Sequence, residues 1–286
     1  MTNLSNKDER ENLEQTILRE IDEWCVNKYS EGHRKHLGAS IIGDPCSRRL
    51  WYTFRWVRRE TFSGRMHRLF QVGHNAEPRF IEYLKGIGFV IFDKTEDGKQ
   101  FRISGCEGHY GGSLDSWGYL PERYNYKNKV LFEFKTNNTG SGFVNVGKNG
   151  VPKEKPKHYA QMCQYGFKHQ IEYCVYVIEN KNDSDLIIKI VPLDWNYGAA
   201  LEKKAEDIIL SNFPPAKISE QPSYFECKFC DFSKICHENE PVEINCRSCK
   251  LSSPIANKEW FCNRFNSVIP QEYIEKGCEY HLSVNS

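Results

Sequence analysis

The sequence predicts a mixed α/β fold, with a central sheet flanked by helices and a small Cys-rich metal module at the C-terminal end. Three observations carry this reading. Hydrophobic spacing passes from helical to alternating and back again between residues 8 and 211. The segment VLFEFKT (130–136) is an apolar run ending in two charges, Glu133 and Lys135, which alternation puts on one face of a strand with Phe134 on the other. From about 221 onward the chain is Cys-rich and poor in apolar runs, so something other than a core must hold it.

Taken in order, residues 8–30 carry Leu13, Ile17, Ile21 and Trp24 at helical spacing, an amphipathic N-terminal helix. Gly38, Gly43, Asp44 and Pro45 mark a loop, and Cys46 opens an Arg-rich segment. That segment holds seven arginines (48, 49, 55, 58, 59, 65, 68) against the single acid Glu60, with Trp51, Tyr52, Phe54 and Trp56 interleaved. Two readings stay open. Arginines such as Arg48 and Arg49 track a phosphate backbone while the aromatics stack on bases, or the aromatics face a core and the arginines face water.

Residues 67–86 read as a helix ended by Gly86, with Phe80, Ile81 and Leu84 on its apolar face. Residues 88–93, 100–105, 110–120 and 129–136 then read as successive strands. The segment 138–157, rich in Gly, Asn, Lys and Pro, reads as a mobile loop beside the site. A helix at 158–170, a strand pair at 172–181 and 186–194, and a helix at 196–211 follow, before Phe213-Pro214-Pro215 breaks the chain. There is no internal repeat. The expected organisation is an N-terminal helical region (1–70), a core (71–220), a cysteine segment (221–240) and a tail (241–286).

With 286 residues and 39% apolar content the chain suffices for one sizeable core and a small appendage. A net charge of +1 says nothing about partners. No apolar stretch approaches the roughly 20 residues a membrane span needs, so no membrane partner is expected. The polar start MTNLSNKDERENLEQ lacks the basic and apolar regions of a secretory signal, and the expected compartment is cytoplasmic and reducing. Twelve cysteines there argue against a disulfide framework. Eight fall into two patterns of metal-ligand spacing, and Cys25, Cys106, Cys163 and Cys174 read as small buried hydrophobes.

Asp115 lies in the Gly-rich GGSLDSWG segment, 18 residues before Glu133. Carboxylates from neighbouring strands suit a hard divalent cation such as Mg²⁺, with water completing its shell. Such an ion polarises a phosphate and lowers the pKa of a bound water, while Lys135 orients the nucleophile and offsets charge on phosphorus. An isolated Glu-x-Lys is more often a surface salt bridge, but this one sits inside an apolar strand.

Asp115 followed by Glu133-x-Lys135 resembles the signature of the PD-(D/E)XK nucleases, the restriction-endonuclease-like superfamily, and more narrowly its RecB-type and phage exonuclease branch. In that branch a helix before the core carries G-x-x-x-(E/H), matched by Gly73 and Glu77, and a later helix carries Q-x-x-x-Y, matched by Gln161 and Tyr165 one turn apart. The resemblance implies that Glu77 joins the metal site and that Gln161 and Tyr165 orient the lysine or touch the scissile strand. His74, one turn before Glu77, is either a further ligand or phosphate contact or an ordinary surface histidine. Lys157 and His158 are phosphate contacts or merely solvated.

Cys227, Cys230 and Cys236 form C-x₂-C-x₅-C, three ligands of a four-ligand site, with Cys46 about 180 residues away as a candidate fourth. One cysteine before the core and three after it resembles the iron–sulfur nucleases, the CRISPR-associated RecB-like and AddB-type proteins, and implies a [4Fe–4S] cluster. A Zn²⁺ site completed by His237 or another local ligand is the alternative. In the tail, Cys246, Cys249, Cys262, Cys278 and His281 are five candidates for one tetrahedral Zn²⁺ site, with Cys278 and His281 competing for the last position. This resembles the zinc-ribbon tails of some phage-encoded nucleases, and a tail of this length is expected to need such a clip.

The resemblance thus implies a Mg²⁺- or Mn²⁺-dependent DNA exonuclease serving phage or mobile-element recombination, leaving 5′-phosphate and 3′-hydroxyl ends. A recombination or single-strand-binding protein is an expected partner, and host cytoplasm the setting if the chain is phage-encoded. The alternatives are a CRISPR-type end-processing endonuclease and a non-catalytic nucleic-acid-binding adaptor whose metal sites serve structure only.

Overall fold

The protein is described as a computed structural model over residues 4–285. Helix α1 (Lys7–Tyr29) starts where the Asn6 side chain accepts the Asp8 backbone N–H. It forms where its spacing predicts, but the apolar face is not buried. Ile17, Ile21 and Trp24 remain exposed and only Cys25 is buried, because the helix packs chiefly on α3, with Asp22 paired to Arg68. A short strand β1 (Leu37–Gly38) leads to α2 (Ser47–Phe54), capped by the Cys46 thiol, and to α3 (Gly64–Gly86), capped by Ser63. Trp51, Tyr52, Phe54 and Trp56 are all buried, so the aromatics of the Arg-rich segment face the core.

Strands β2 (Val90–Phe92), β3 (Arg102–Gly105), β4 (Tyr110–Ser113), β5 (Ser116–Tyr119) and β6 (Val130–Asn137) follow. The single strand expected over 110–120 is two strands in different sheets. β4 pairs with β1 and β3, whereas β5 pairs with β2 and β6. The chain changes sheet at Leu114-Asp115, where Leu114 is buried and Asp115 binds the backbone of β6.

The loop expected at 138–157 is instead helical, with α4 (Ser141–Asn149) and α5 (Val151–Glu154) running into α6 (Pro156–His169). Composition misleads here because three apolar side chains decide the outcome: Phe143, Val146 and Val151 are all buried in the main core. Gly150, with φ +84°, lets the chain turn between the first two helices. Strands β7 (Tyr173–Asn180) and β8 (Leu186–Pro192) and helix α7 (Trp195–Leu210) complete the core as expected.

The main sheet has the order β2-β5-β6-β7-β8, with β6 and β7 parallel and the other pairs antiparallel. It is a central mixed sheet flanked by helices. Phe80, Ile81 and Leu84 of α3 pack on one face against Phe132, Phe134, Val175 and Val177. The other face, carrying Leu131, Cys174, Tyr176 and Ile178, packs with Met162, Tyr165, Leu201 and Ile208 of α6 and α7.

Beyond this core lie α8 (Phe225–Lys228), α9 (Ser233–Glu238), a small sheet of β9 (Ser252–Pro254), β10 (Trp260–Cys262) and β11 (Ser267–Val268), and α10 (Gln271–Ile274). The expectation of a separate, nearly coreless metal module is corrected. Phe232, Ile235, Trp260, Ile274 and Val284 belong to the same buried cluster as Trp51, Tyr52 and Phe54. Two buried guanidiniums fasten the seam. Arg55 donates to the Cys249 and Ser252 carbonyls at 2.6 and 3.2 Å. Arg247 lies 4.4, 4.2 and 4.7 Å from the Phe54, Trp56 and Trp260 ring centroids and donates to the Lys35 carbonyl at 3.2 Å. No described helix is long and apolar enough to cross a membrane.

Because Trp260 is a core residue, Trp260→Ala is expected to cost about 3–5 kcal/mol of global stability. Urea denaturation followed by far-UV circular dichroism checks this. A tail folding on its own would instead give a separate transition and leave the main one unmoved.

Candidate active site

Residues 132–135 of β6 place alternate side chains on opposite faces, so the phenylalanines enter the α3 layer while Glu133 and Lys135 face α6. Glu133 is completely buried, and its carboxylate is in ion-pair contact with the Lys135 ammonium. Neither Glu133 oxygen finds a hydrogen bond of ordinary geometry. Asp115 stands at the sheet-to-sheet crossing, where its Oδ2 accepts the Phe134 backbone N–H at 2.9 Å. That bond ties the crossing to β6 between its two charged residues. Glu77 reaches the same region from α3.

The electrostatics follow from three carboxylates around one ammonium. Burial pushes Glu133 up to about 7, the Asp115 carboxylate adds to the rise and Lys135 opposes it. Burial likewise lifts Glu77 to about 7, again with Asp115 raising and Lys135 lowering it. For Lys135 burial favours the neutral amine, but Glu133 and Asp115 outweigh it and hold the proton on. A buried carboxylate with no conventional donor and two acidic neighbours fits a divalent cation by its donor chemistry. Among the described residues, no group of three or more His, Cys, Asp or Glu is gathered into a metal-holding arrangement. Here the Lys135 ammonium is the positive charge that answers Glu133.

Gln161 and Tyr165 come together on α6. Gln161 Nε2 donates to Tyr165 Oη at 3.2 Å, and Tyr165 donates to the Ser113 carbonyl at 2.8 Å. The approach needs a bare backbone, since a Cβ at Gly112 would stand 2.8 Å from the Tyr165 hydroxyl. The pair therefore braces the end of β4, two residues before Asp115. His158 is turned inward, its Nδ1 2.9 Å from the Tyr176 hydroxyl, and burial with the Lys135 charge pushes it down to about 3. Lys157 pairs with Asp44 at 2.8 Å.

These groups open into a cleft of about 1180 Å³ whose wall includes His74, Glu77, Asp115, Lys135, Gln161 and Tyr165. Glu133 lies beneath it. Arg48 and Arg49 are not on this cleft. Arg48 donates to the Pro215 carbonyl at 2.6 Å, and Arg49 pairs with Asp44 at 3.3 Å. Sequence reasoning missed other cleft residues, Arg34, Lys35, His36, Arg102, Lys181 and Lys258. They come from four separate segments and share no motif, so only the fold reveals them.

Cys46, Cys227, Cys230 and Cys236 line one pocket together with His237. Burial raises the Cys227 and Cys230 thiols, and the nearby Cys46 thiol adds to both. In the tail, burial pushes the Cys246 thiol up to about 11, with Cys278, Cys249 and Cys262 contributing. His281 is engaged elsewhere, its Nε2 lying 3.0 Å from the Ser248 hydroxyl and 3.1 Å from its carbonyl oxygen.

No family model matches the chain, and no curated protein matches it. Among solved structures it is similar to LHK-Exo in complex with dAMP, at 18% identity and a TM-score of 0.44, over 61% of this chain and 86% of that one. It is similar to the alkaline exonuclease LHK-Exo from Laribacter hongkongensis, at 18% identity and a TM-score of 0.40, over 65% of this chain and 90% of that one. It is also similar to SSO0001, at 18% identity and a TM-score of 0.44, over 80% of this chain and 97% of that one.

A carboxylic acid whose pKa is higher folded than unfolded contributes stability that is full below its unfolded value and is lost as pH rises through its folded one. For Glu133 that window runs from the ordinary 4.5 to about 7. In chelator, the protein is expected to lose stability across this window, and Glu133→Gln to lose less of it. Urea titrations at several pH values check this, and equal slopes for both proteins would contradict it.

Proposed function

We propose that this protein is a Mg²⁺- or Mn²⁺-dependent deoxyribonuclease of the PD-(D/E)XK type, acting on DNA ends in phage or mobile-element recombination or processing. The observation that carries the reading is the wholly buried Glu133 sharing one face of β6 with Lys135, with Asp115 fastened to the backbone between them at the edge of a large cleft. Titratable groups with perturbed pKa values gathered at a cleft are the arrangement that catalytic sites use.

In this reading Asp115 and Glu133, with Glu77 as a further carboxylate, hold the cation, which when bound supplies Lewis-acid polarisation of the scissile phosphate and acidifies water beside it. Lys135 orients the attacking water and offsets charge on phosphorus. Water adds to phosphorus as the bond to the 3′-oxygen breaks, leaving a 5′-phosphate and a 3′-hydroxyl. Gln161 and Tyr165 hold the β4 end, and with it Asp115, in register with β6. His74 on the cleft wall is a phosphate contact.

Cys46, Cys227, Cys230 and Cys236 are proposed to hold a [4Fe–4S] cluster, since four thiols from both sides of the core line one pocket. The cluster would close a long loop and stabilise the fold. Cys246, Cys249, Cys262 and Cys278 are proposed as a Zn²⁺ site, with His281 displaced from it by its bonds to Ser248.

Glu133→Ala and Lys135→Ala are each expected to lower cleavage of end-labelled linear DNA by about 10²-fold or more while DNA binding persists. Single- and double-stranded substrates with either label read polarity in the same assay. A wild-type protein inert in both Mg²⁺ and Mn²⁺ would sink the enzyme reading and leave an adaptor. For the cysteines, an anaerobic preparation is expected to contain iron and acid-labile sulfide, both lost in Cys46→Ser. Zinc without iron would assign the pocket to Zn²⁺ instead.

A further inference from the structure

The cleft also carries a set of cations. Besides the carboxylates, its lining includes residues 34–36, Arg102 of β3 and Lys258 of the tail. Arg34, Lys35, Arg102 and Lys258 are exposed, and among the described residues none of them enters an ion pair. Glu31 and Glu275 are the acids on the same wall. The cations converge on His36. Its imidazole is held down to about 4 by burial and then by Arg34, Lys258 and Arg102, with no acid among the causes.

The tail is held at this wall by specific backbone geometry. His109 at the β3–β4 turn lies with Nε2 2.7 Å from the Ile255 carbonyl oxygen. Asn257 and Lys258 both adopt left-handed backbone, φ +59° and +63°, which residues with a Cβ adopt at a cost. The Lys258 side chain then lies across Gly108, where a Cβ would stand 2.6 Å from it. Structural need alone does not explain a strained turn that ends in an exposed, unpaired ammonium on a cleft wall.

We infer that Lys258 and Arg102 form a phosphate-binding rim of the cleft, so that the tail grips the DNA backbone away from the carboxylates. This rests on the nuclease reading for its substrate. It adds that the tail is part of the substrate path rather than only a brace.

The test measures binding of short labelled single-stranded and duplex DNA by the full chain in chelator, over a salt series. Lys258→Ala with Arg102→Ala is expected to weaken binding about tenfold near 0.1 M salt and to lower the slope of log affinity against log salt by about two. Lys258→Glu alone should weaken binding more than Lys258→Ala. Lys203→Ala, an exposed lysine of α7 paired with Glu206 and Asp207, should change nothing. An unchanged salt slope in the double variant, or wild-type protein that binds no DNA, overturns the rim. Wild-type protein that binds with the expected slope but cleaves nothing upholds the rim and overturns the nuclease reading alone.

Discussion

A carboxylate taken completely out of water dictates much of this architecture. Glu133 has no exposed surface and no ordinary hydrogen bond, so its charge is tolerable only beside Lys135. Lys135 in turn must come from the same strand face, two residues on, which requires β6 to be central and regular there. Asp115 can approach only if the chain leaves one sheet for the other at that level. The bond from Phe134 N–H to Asp115 is where the two sheets are pinned. Gly112, Tyr165 and Gln161 hold the other side of that crossing. Remove the buried charge and this arrangement loses its reason.

A second constraint acts where the tail joins the core. Arg55 and Arg247 are buried guanidiniums with no carboxylate partner among the described residues; carbonyl oxygens and aromatic faces engage them, while Arg55 Nε and Arg247 Nε and Nη2 stay without a hydrogen bond. Each joins the first quarter of the chain to the last. The tail is thereby integral, and its turn at 255–259 is brought to the cleft that holds the carboxylates. The tail thus adds Lys258 and Glu275 to a cleft whose other charged residues come from the first half of the chain and from Lys181.

Much of this was legible in advance. Alternation in VLFEFKT located β6 and its charged face, and the one-turn spacing of Gln161 and Tyr165 put both on one side of α6. What stayed hidden has physical causes. Residues 138–157 look like loop by composition, yet Phe143, Val146 and Val151 find a core that pays for helix formation. The strand over 110–120 gives no local sign of changing sheets, because the cause is a backbone bond to a strand 19 residues away. The arginines of the 48–68 segment read as solvent or DNA ligands. Several are spent on carbonyls and carboxylates of distant segments, as with Arg48 and Pro215, or Arg58 with Asp231 and Glu240. Periodicity sees side-chain pattern within an element, and these partners lie outside any window.

The seam around Arg247 has a consequence for how the chain is made. Residues 50–57 present Leu50, Trp51, Tyr52, Phe54, Trp56 and Val57 to a core whose covering side chains include Phe232, Trp260 and Val284. A ribosome releases the first group long before the second exists. During that interval a broad aromatic surface is bare, and contacts so distant in sequence form slowly. The nascent chain must therefore wait, shielded or loosely collapsed, for the segment that carries Phe232, Trp260 and Val284. Lys258 of the proposed rim belongs to the same later segment, so the grip on substrate forms only after that segment has joined the core.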